Sequence, residues 1–301
     1  MVISNNRLAY LYVLLGAALW GIIGLFIDAL AQAGFTVFQI VTLRVASAAV
    51  MLTVFLAIKD VELLKIELKD SFSFIGTGIF SIVFFNWCYF TAIEEVSLSV
   101  AVILLYTGPA FVTILSWLLF KEPMTRRKIW ALLLTLIGCA LVIKVIPFAD
   151  KQISLIGFLI GLGSGFGYAL YSIFGKHALK KYSSLTVITY TFVFASAVLL
   201  PLSGITIEVS QLSSTKVWFH ILGLGFFPTA LAYMLYTVGL SMIESSRASI
   251  TATIEPVVAT LLGIYFFDEV LTYFQLSGMV LVLAAVVLIQ LKKTKRHAIG
   301  R

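Results

Sequence analysis

Charge is what this sequence has least of. Only 12% of its 301 residues are Asp, Glu, Lys or Arg, about half the share of an average soluble chain, and no ordinary water-facing surface can be built from so few. Cysteine is nearly absent. Cys88 and Cys139 stand inside apolar runs with no CxxC spacing and no His nearby, so they read as small buried apolar residues rather than as a disulfide, redox or zinc motif. His177, His220 and His297 are scattered in or near different loops, which gives neither a metal site nor a Ser-His-Asp arrangement any support. Enzyme chemistry has nothing obvious to stand on, and no cofactor is implied. Long polar segments are missing too: the longest breaks, near 59–70 and 204–216, are too short to fold as separate soluble domains.

What is present is hydrophobic. The chain is 61% apolar with a mean hydropathy of +1.07. Runs of about 18 or more apolar residues can cross a hydrocarbon core about 30 Å thick. Such runs recur at 9–29, 37–58, 71–92, 96–119, 128–147, 154–174, 184–203, 217–239, 246–267 and 273–291. The expectation is an all-α integral membrane protein with ten transmembrane helices. The "ALA" at 29–31 has the look of a signal-peptide cleavage site, but the run before it outlasts an h-region of about 7–15 residues and only Arg7 precedes it as a basic residue.

The basic residues are unevenly shared. With the N-terminus inside, seventeen Lys and Arg fall in cytoplasmic segments and three (Lys144, Lys151 and Lys216) on the opposite side, with Arg44 inside the second span. The positive-inside rule then places both termini in the cytoplasm of a multi-pass plasma (inner) membrane protein. The net charge of +7 follows from this topology and from attraction to anionic lipid. It does not argue for nucleic acid, and the tail "KKTKRHAIGR", directly after a span, reads as an anchor. The bilayer itself is the first partner, and the oligomeric state is open.

Two internal patterns carry more. "GLGSGFG" at 161–167 lies within an apolar span and not between a soluble strand and a helix, so it reads as close helix packing through Gly161 with Gly165 and Gly163 with Gly167. Sliding the chain by 147 residues lays "AVILLYTGPAFVTILSWLLFKEPMT" (101–125) over "ASITATIEPVVATLLGIYFFDEVLT" (248–272). Pro109 meets Pro256, Glu122 meets Glu269 and Thr125 meets Thr272, a Pro-x12-Glu-x2-Thr pattern in both copies. At an offset of 148, Trp20 falls on Tyr168, which makes the unit five spans. An odd unit repeated once inserts in opposite senses, giving two inverted five-helix repeats, residues 1–150 and 151–301 with the basic tail, an architecture typical of secondary transporters.

With these motifs in place the chain resembles the EamA family of the drug/metabolite transporter superfamily. The resemblance rests on "GPAFVTILSWLLFKEPMT" and "EPVVATLLGIYFFDEVLT", on the Arg of "TLRVASAAV" and on the Trp-Gly of "ALWGIIG". It covers nearly the whole chain and implies transport of a small molecule, with export favoured by family tendency. In the second half Tyr168-Ala169 replaces Trp-Gly, so the halves are not functionally equivalent.

The candidate site follows from cost. Glu255 and Arg44 both lie deep in their spans, where each charge costs about 2.5–3.5 kcal/mol on insertion scales, so both should face the bundle interior or a watery cavity. One reading is a salt bridge locking two helices, or a protonated Glu255. The other is a polar floor, with Arg44 for an anionic group and Glu255 for a cationic group or a proton. Pro109 and Pro256 should kink their helices and free the carbonyls of Leu105 and Ala252. Trp20, Asn86, Tyr106, Tyr168, Tyr190 and Tyr233 are the candidate lining. Glu122 and Glu269 read as solvated caps or ion pairs with neighbouring loops, and "DVELLKIELKD" at 60–70 as a short interfacial helix. The expected function is alternating-access transport of a small polar or amphipathic metabolite such as an amino acid, by proton coupling or by facilitated diffusion. A carrier or flippase for a lipid-linked or sugar-bearing substrate and a non-transporting membrane scaffold are the alternatives.

Overall fold

The computed structural model describes residues 2–96, 98–143, 154–203, 212–267 and 270–291. Lys144, Lys151, Glu269 and the tail from residue 292, including His297, lie outside the described residues. All regular elements among the described residues are helical. In chain order they form α1 (Asn6–Gln32), α2 (Val37–Lys59), α3 (Leu68–Glu95), α4 (Leu98–Phe120), α5 (Arg126–Val142), α6 (Leu155–Ala178), α7 (Ser184–Leu202), α8 (Thr215–Met242), α9 (Ser245–Phe266) and α10 (Tyr273–Gln290). Among the described residues nine of these are long and apolar enough to span a membrane. The exception, α5, covers 17 residues, and the remainder of its expected span, 128–147, runs beyond the described residues.

Helix boundaries recur along the chain. The pair α3 and α8 begin and end 147 residues apart, while α4 and α9, and α5 and α10, begin at that same interval. The Thr of each motif copy now has a local role: Thr125 accepts the Lys128 N–H and caps α5, and Thr272 forms a capping box with Gln275 at the start of α10. Each proline does more than kink its helix. α4 is broken into α4a (Leu98–Leu105) and α4b (Gly108–Phe120), and α9 into α9a (Ser245–Ala252) and α9b (Glu255–Phe267). Pro109 and Pro256 take the second position of the new half-helix, where a missing N–H costs nothing. π-helical segments, Gly76–Val83 and Phe226–Leu231, interrupt α3 and α8.

Small residues set the packing, because in lipid there is little hydrophobic drive between helices and close approach supplies the attraction. A Cβ at Gly16 of α1 would stand 2.7 Å from the Ala232 carbonyl of α8. Along α6, the expected glycine pairs split by face: Gly161 and Gly165 meet Leu104 and Thr107 of α4, whereas Gly163 and Gly167 meet Cys88, Phe84 and Phe85 of α3. α5 lies against α10 through Gly138 and Gly278, and α2 against α7.

One expected element does not form. Residues 60–70 make two short 3-10 turns, Val61–Leu64 and Leu68–Asp70, separated by extended backbone at Lys65. The Asp60 carboxylate bonds the Glu62 N–H, and the loop is held from outside by Thr186, whose hydroxyl donates to Leu63 O, and Tyr182, whose hydroxyl donates to Asp70. Alternation of charged and apolar residues every second position has no helical period, which is why no amphipathic helix results.

Candidate functional site

The two helix breaks meet at the middle of the bundle. Around them lies a pocket of about 70 Å³, lined among others by Trp20, Arg44, Leu105, Tyr106, Pro109, Tyr168, Tyr233, Ala252 and Glu255. It shares Trp20, Arg44, Phe85, Leu105 and Glu255 with an adjoining cavity of about 380 Å³ that also reaches Asn86 and Tyr89. A third cavity, of about 720 Å³ and mostly apolar, continues from Ile27, Tyr89 and Phe90 to Thr36, Glu94 and Leu98 at the α1–α2 and α3–α4 connections.

Most of the residues singled out from the sequence therefore come together. Arg44 and Glu255 share the pocket and attract one another across it. They do not form the direct salt bridge expected on the locking reading: the ion pairs among the described residues lie elsewhere. Arg44 is 7% exposed, and its Nε, like Nε1 of Trp20, is buried without a hydrogen-bond partner. Among the described residues no hydrogen bond reaches the carbonyls of Leu105 or Ala252, the two that Pro109 and Pro256 cannot serve. Both residues line the pocket. It thus holds two orphaned donors, two orphaned acceptors, one basic and one acidic side chain and the N-termini of α4b and α9b, whose first-turn N–H groups carry positive partial charge.

Aromatic packing fixes the walls. Trp20 meets Tyr233 edge-on at 5.0 Å and Tyr168 at 6.5 Å, and Tyr233 meets Tyr171 and Phe192 at 5.0 and 5.1 Å. Asn86 is buried in the second cavity and donates to Ile82 O at 2.7 Å. Tyr190 is the exception. Helices α5, α7 and α10 contribute no residue to the two inner cavities, and Tyr190 of α7 instead donates to Leu64 O and packs on Phe74 near the 60–70 loop. Phe85, Tyr89, Tyr171 and Tyr236 were missed, although three of them stand three residues beyond a residue already singled out (Asn86, Tyr168 and Tyr233), on the same helical face.

The opposite end of the bundle is shut. Glu122, 8% exposed, is buried rather than solvated. Its carboxylate accepts from Ser245 N at 2.6 Å and from Ser246 Oγ and N at 2.5 and 3.3 Å, which caps α9a. Lys128, 1% exposed, bridges Glu122 at 3.5 Å and Glu244 at 2.9 Å. Arg247 extends the cluster to Glu244, to the Tyr10 hydroxyl of α1 and to Ile289 O of α10. Lys176 of α6 donates to Leu240 O and Ile243 O at 2.6 and 2.8 Å, closing the end of α8.

Burial raises the Glu122 pKa, but the bonds from Ser246 and Ser245 and the charge of Lys128 outweigh it and hold the carboxyl below its ordinary 4.5. A carboxyl lowered on folding adds stability above its unfolded pKa and loses that stability as pH falls through the lower folded value. Melting temperature in detergent is therefore expected to fall more steeply on acidification from about pH 5 to about pH 3 for the native chain than for Glu122→Gln. Parallel curves would contradict the assignment.

Helices that span an apolar bundle, break at a midway pocket and leave their backbone ends there define a protein of the membrane-transporter class. The chain belongs to the EamA-like transporter family, whose model matches residues 7–144 and again 155–291. It is 34% identical over 200 residues to an uncharacterized transporter of Archaeoglobus fulgidus, covering 66% of this chain and 70% of that one. It is 26% identical over 302 residues to the uncharacterized inner membrane transporter YicL of Salmonella typhimurium, covering 97% and 98%. With the uncharacterized transporter YwfM of Bacillus subtilis it shares 25% identity over 291 residues, 95% of each chain. One solved crystal structure has the same fold, with a TM-score of 0.77 at 17% identity over 93% of this chain and 95% of the other.

Proposed function

We propose that the chain is a secondary transporter, built as ten spans in two inverted five-helix repeats (1–150 and 151–301), that exports a small zwitterion such as an amino acid or a related metabolite by alternating access. Both termini would lie in the cytoplasm of an inner membrane. The recurrence of helix boundaries, breaks and π segments, and the two successive family matches, support the repeat. The observation that carries the substrate reading is the pair of unpaired buried groups facing one pocket. Arg44 and Trp20 offer unused donors to a carboxylate, while Glu255 and the free carbonyls of Leu105 and Ala252 offer acceptors to an ammonium group. Leaving buried polar groups unserved costs about 1–3 kcal/mol each, and a zwitterion would serve several of them at once.

Purified protein in liposomes, offered separate pools of small zwitterions, amines and carboxylates, is expected to pass the zwitterions with saturation. Absence of flux with every pool would end the transport reading, and flux of amines or carboxylates alone would remove the two-charge recognition. A second reading, a carrier for a lipid-linked or other amphipathic substrate, is favoured by the 720 Å³ cavity, whose apolar lining includes the half-exposed Trp87. Transbilayer movement of a fluorescent lipid-linked sugar in the same liposomes tests it.

A further inference from the structure

The cavities and the polar cluster lie at opposite ends of α1. Tyr10, tied to Arg247, and Ile27, which lines the second and third cavities, are seventeen residues apart, about 25 Å along a helix. Trp20, in the central pocket, lies between them. Space runs from the pocket toward one end, and buried charge fills the other.

We propose that Glu122 is a latch that holds the pocket shut at the end carrying the α4–α5 connection, with Lys128 as its positioning partner and α9a as the lever it holds. This rests on the transport reading and adds the residues that set which side the pocket faces.

Three observations carry it. The bonds join the two family-matched segments: Glu122 and Lys128 lie in 7–144, and Glu244, Ser245 and Ser246 in 155–291. An ordinary cap comes from the residue just before its own helix, whereas here a carboxylate 123 residues away does the work. The lever is short. α9a runs eight residues from Ser245, held by Glu122, to Ala252 at the pocket wall, about 12 Å of helix. A two-residue break separates it from Glu255 and is the hinge the latch would use. Its packing is also incomplete for a permanent core. Residues Ser245, Ser246, Ala248, Ser249, Ile250, Thr251 and Ala252 are buried, and most are small and polar, yet the hydroxyls of Ser245 and Thr251 have no partner in this arrangement. A segment with spare buried hydroxyls is suited to a second position in which they are served. Apart from Lys128 and Glu244, the charged groups nearest the latch are Arg247, which points to Tyr10 and Ile289, and Lys176, which holds the end of α8. Neither replaces Glu122 at the α9a N-terminus.

The test reads sidedness rather than flux. Thr253, on the pocket wall, is replaced by cysteine in a chain carrying Cys88→Ala and Cys139→Ala, and a membrane-impermeant maleimide is applied to one face at a time. With Glu122 intact, labelling is expected only from the face of the α1–α2 connection. Glu122→Gln and Ser246→Ala each remove charge-assisted bonds and are expected to speed labelling from the other face by about ten-fold or more. Ser245→Ala deletes a hydroxyl that makes no bond in this arrangement, so it should not speed labelling from the other face. Unaltered sidedness in Glu122→Gln and Ser246→Ala, or an equal change in Ser245→Ala, overturns the latch. If Glu122→Gln does not fold, Ser246→Ala decides alone. A chain that shows no flux but relabels as expected keeps the latch and loses the transport reading.

Discussion

Replacing Arg44 by methionine is expected to reduce zwitterion flux in liposomes by about thirty-fold or more. Methionine keeps the length and apolar stem of the side chain, so the core contacts that α2 makes through Val41 and Val45 survive. What goes is the pocket's cation, and with it the orphaned Nε that a carboxylate would satisfy. Truncating one partner of a buried charged hydrogen bond costs about 2–5 kcal/mol, and about 1.4 kcal/mol is ten-fold, so about one and a half to three and a half decades follow. The loss should fall on KM if Arg44 only binds and on the maximal rate if its contact to substrate strengthens during reorientation. Flux within two-fold of native would remove Arg44 from the site. The companion change, Glu255→Gln, separates binding from coupling. If a pH gradient still accelerates flux through Glu255→Gln, protons are not carried by that carboxylate.

The second large effect is structural. Gly278→Val is expected to prevent stable folding. A Cβ there would stand 2.6 Å from Gly138 O, 2.8 Å from Val142 N and 2.8 Å from Leu141 Cβ. Two of the three are backbone atoms of α5, so nothing can rotate aside, and the helices must part along their whole crossing. Overpacking against movable side chains costs about 1–3 kcal/mol, and a backbone wall gives no such relief. Gly24→Ala is the matched control. No atom lies within 4 Å of a Cβ at that position, and Gly to Ala at a compatible helical site stabilises by about 0.4–1 kcal/mol. Melting in detergent should therefore show Gly278→Val absent or strongly lowered and Gly24→Ala unchanged or raised. Similar melting of the two would show that the α5–α10 crossing does not depend on close approach.

How much of this was legible in the sequence follows from the range over which each residue acts. The spans were legible because a bilayer imposes a length on every helix. The Pro and Thr of the repeated motif were legible because their roles are local: proline starts a half-helix and threonine caps the next one. Glu122 belongs to the same motif, but its partners Ser245 and Ser246 are 123 and 124 residues away, and local rules made it a solvated cap or an ion pair with a neighbouring loop, of which only the ion pair, to Lys128, is found. Tyr190 failed for the related reason that its direction depends on which helices stand at the centre, and α7 does not. Charge, by contrast, announced itself. Arg44 and Glu255 were found because ionisable groups in apolar spans are costly wherever they point.

The glycine at 108, in the place where the other repeat carries Glu255, has an electrical consequence. A Cβ there would already press within 2.6 Å of the Tyr168 ring and 3.3 Å of Gly165 O, so a second carboxylate has no room. The pocket is left with one basic and one acidic group, and with both ionised its field runs one way, from α2 to α9b. On the zwitterion reading a bound molecule lies with its dipole along that field, carboxylate toward Arg44 and ammonium toward Glu255, and pocket and cargo together carry no net charge. Moving one elementary charge across 100 mV involves about 2.3 kcal/mol. A neutral, oriented cargo is spared that work, so the membrane potential neither drives nor opposes its passage unless a proton moves with it.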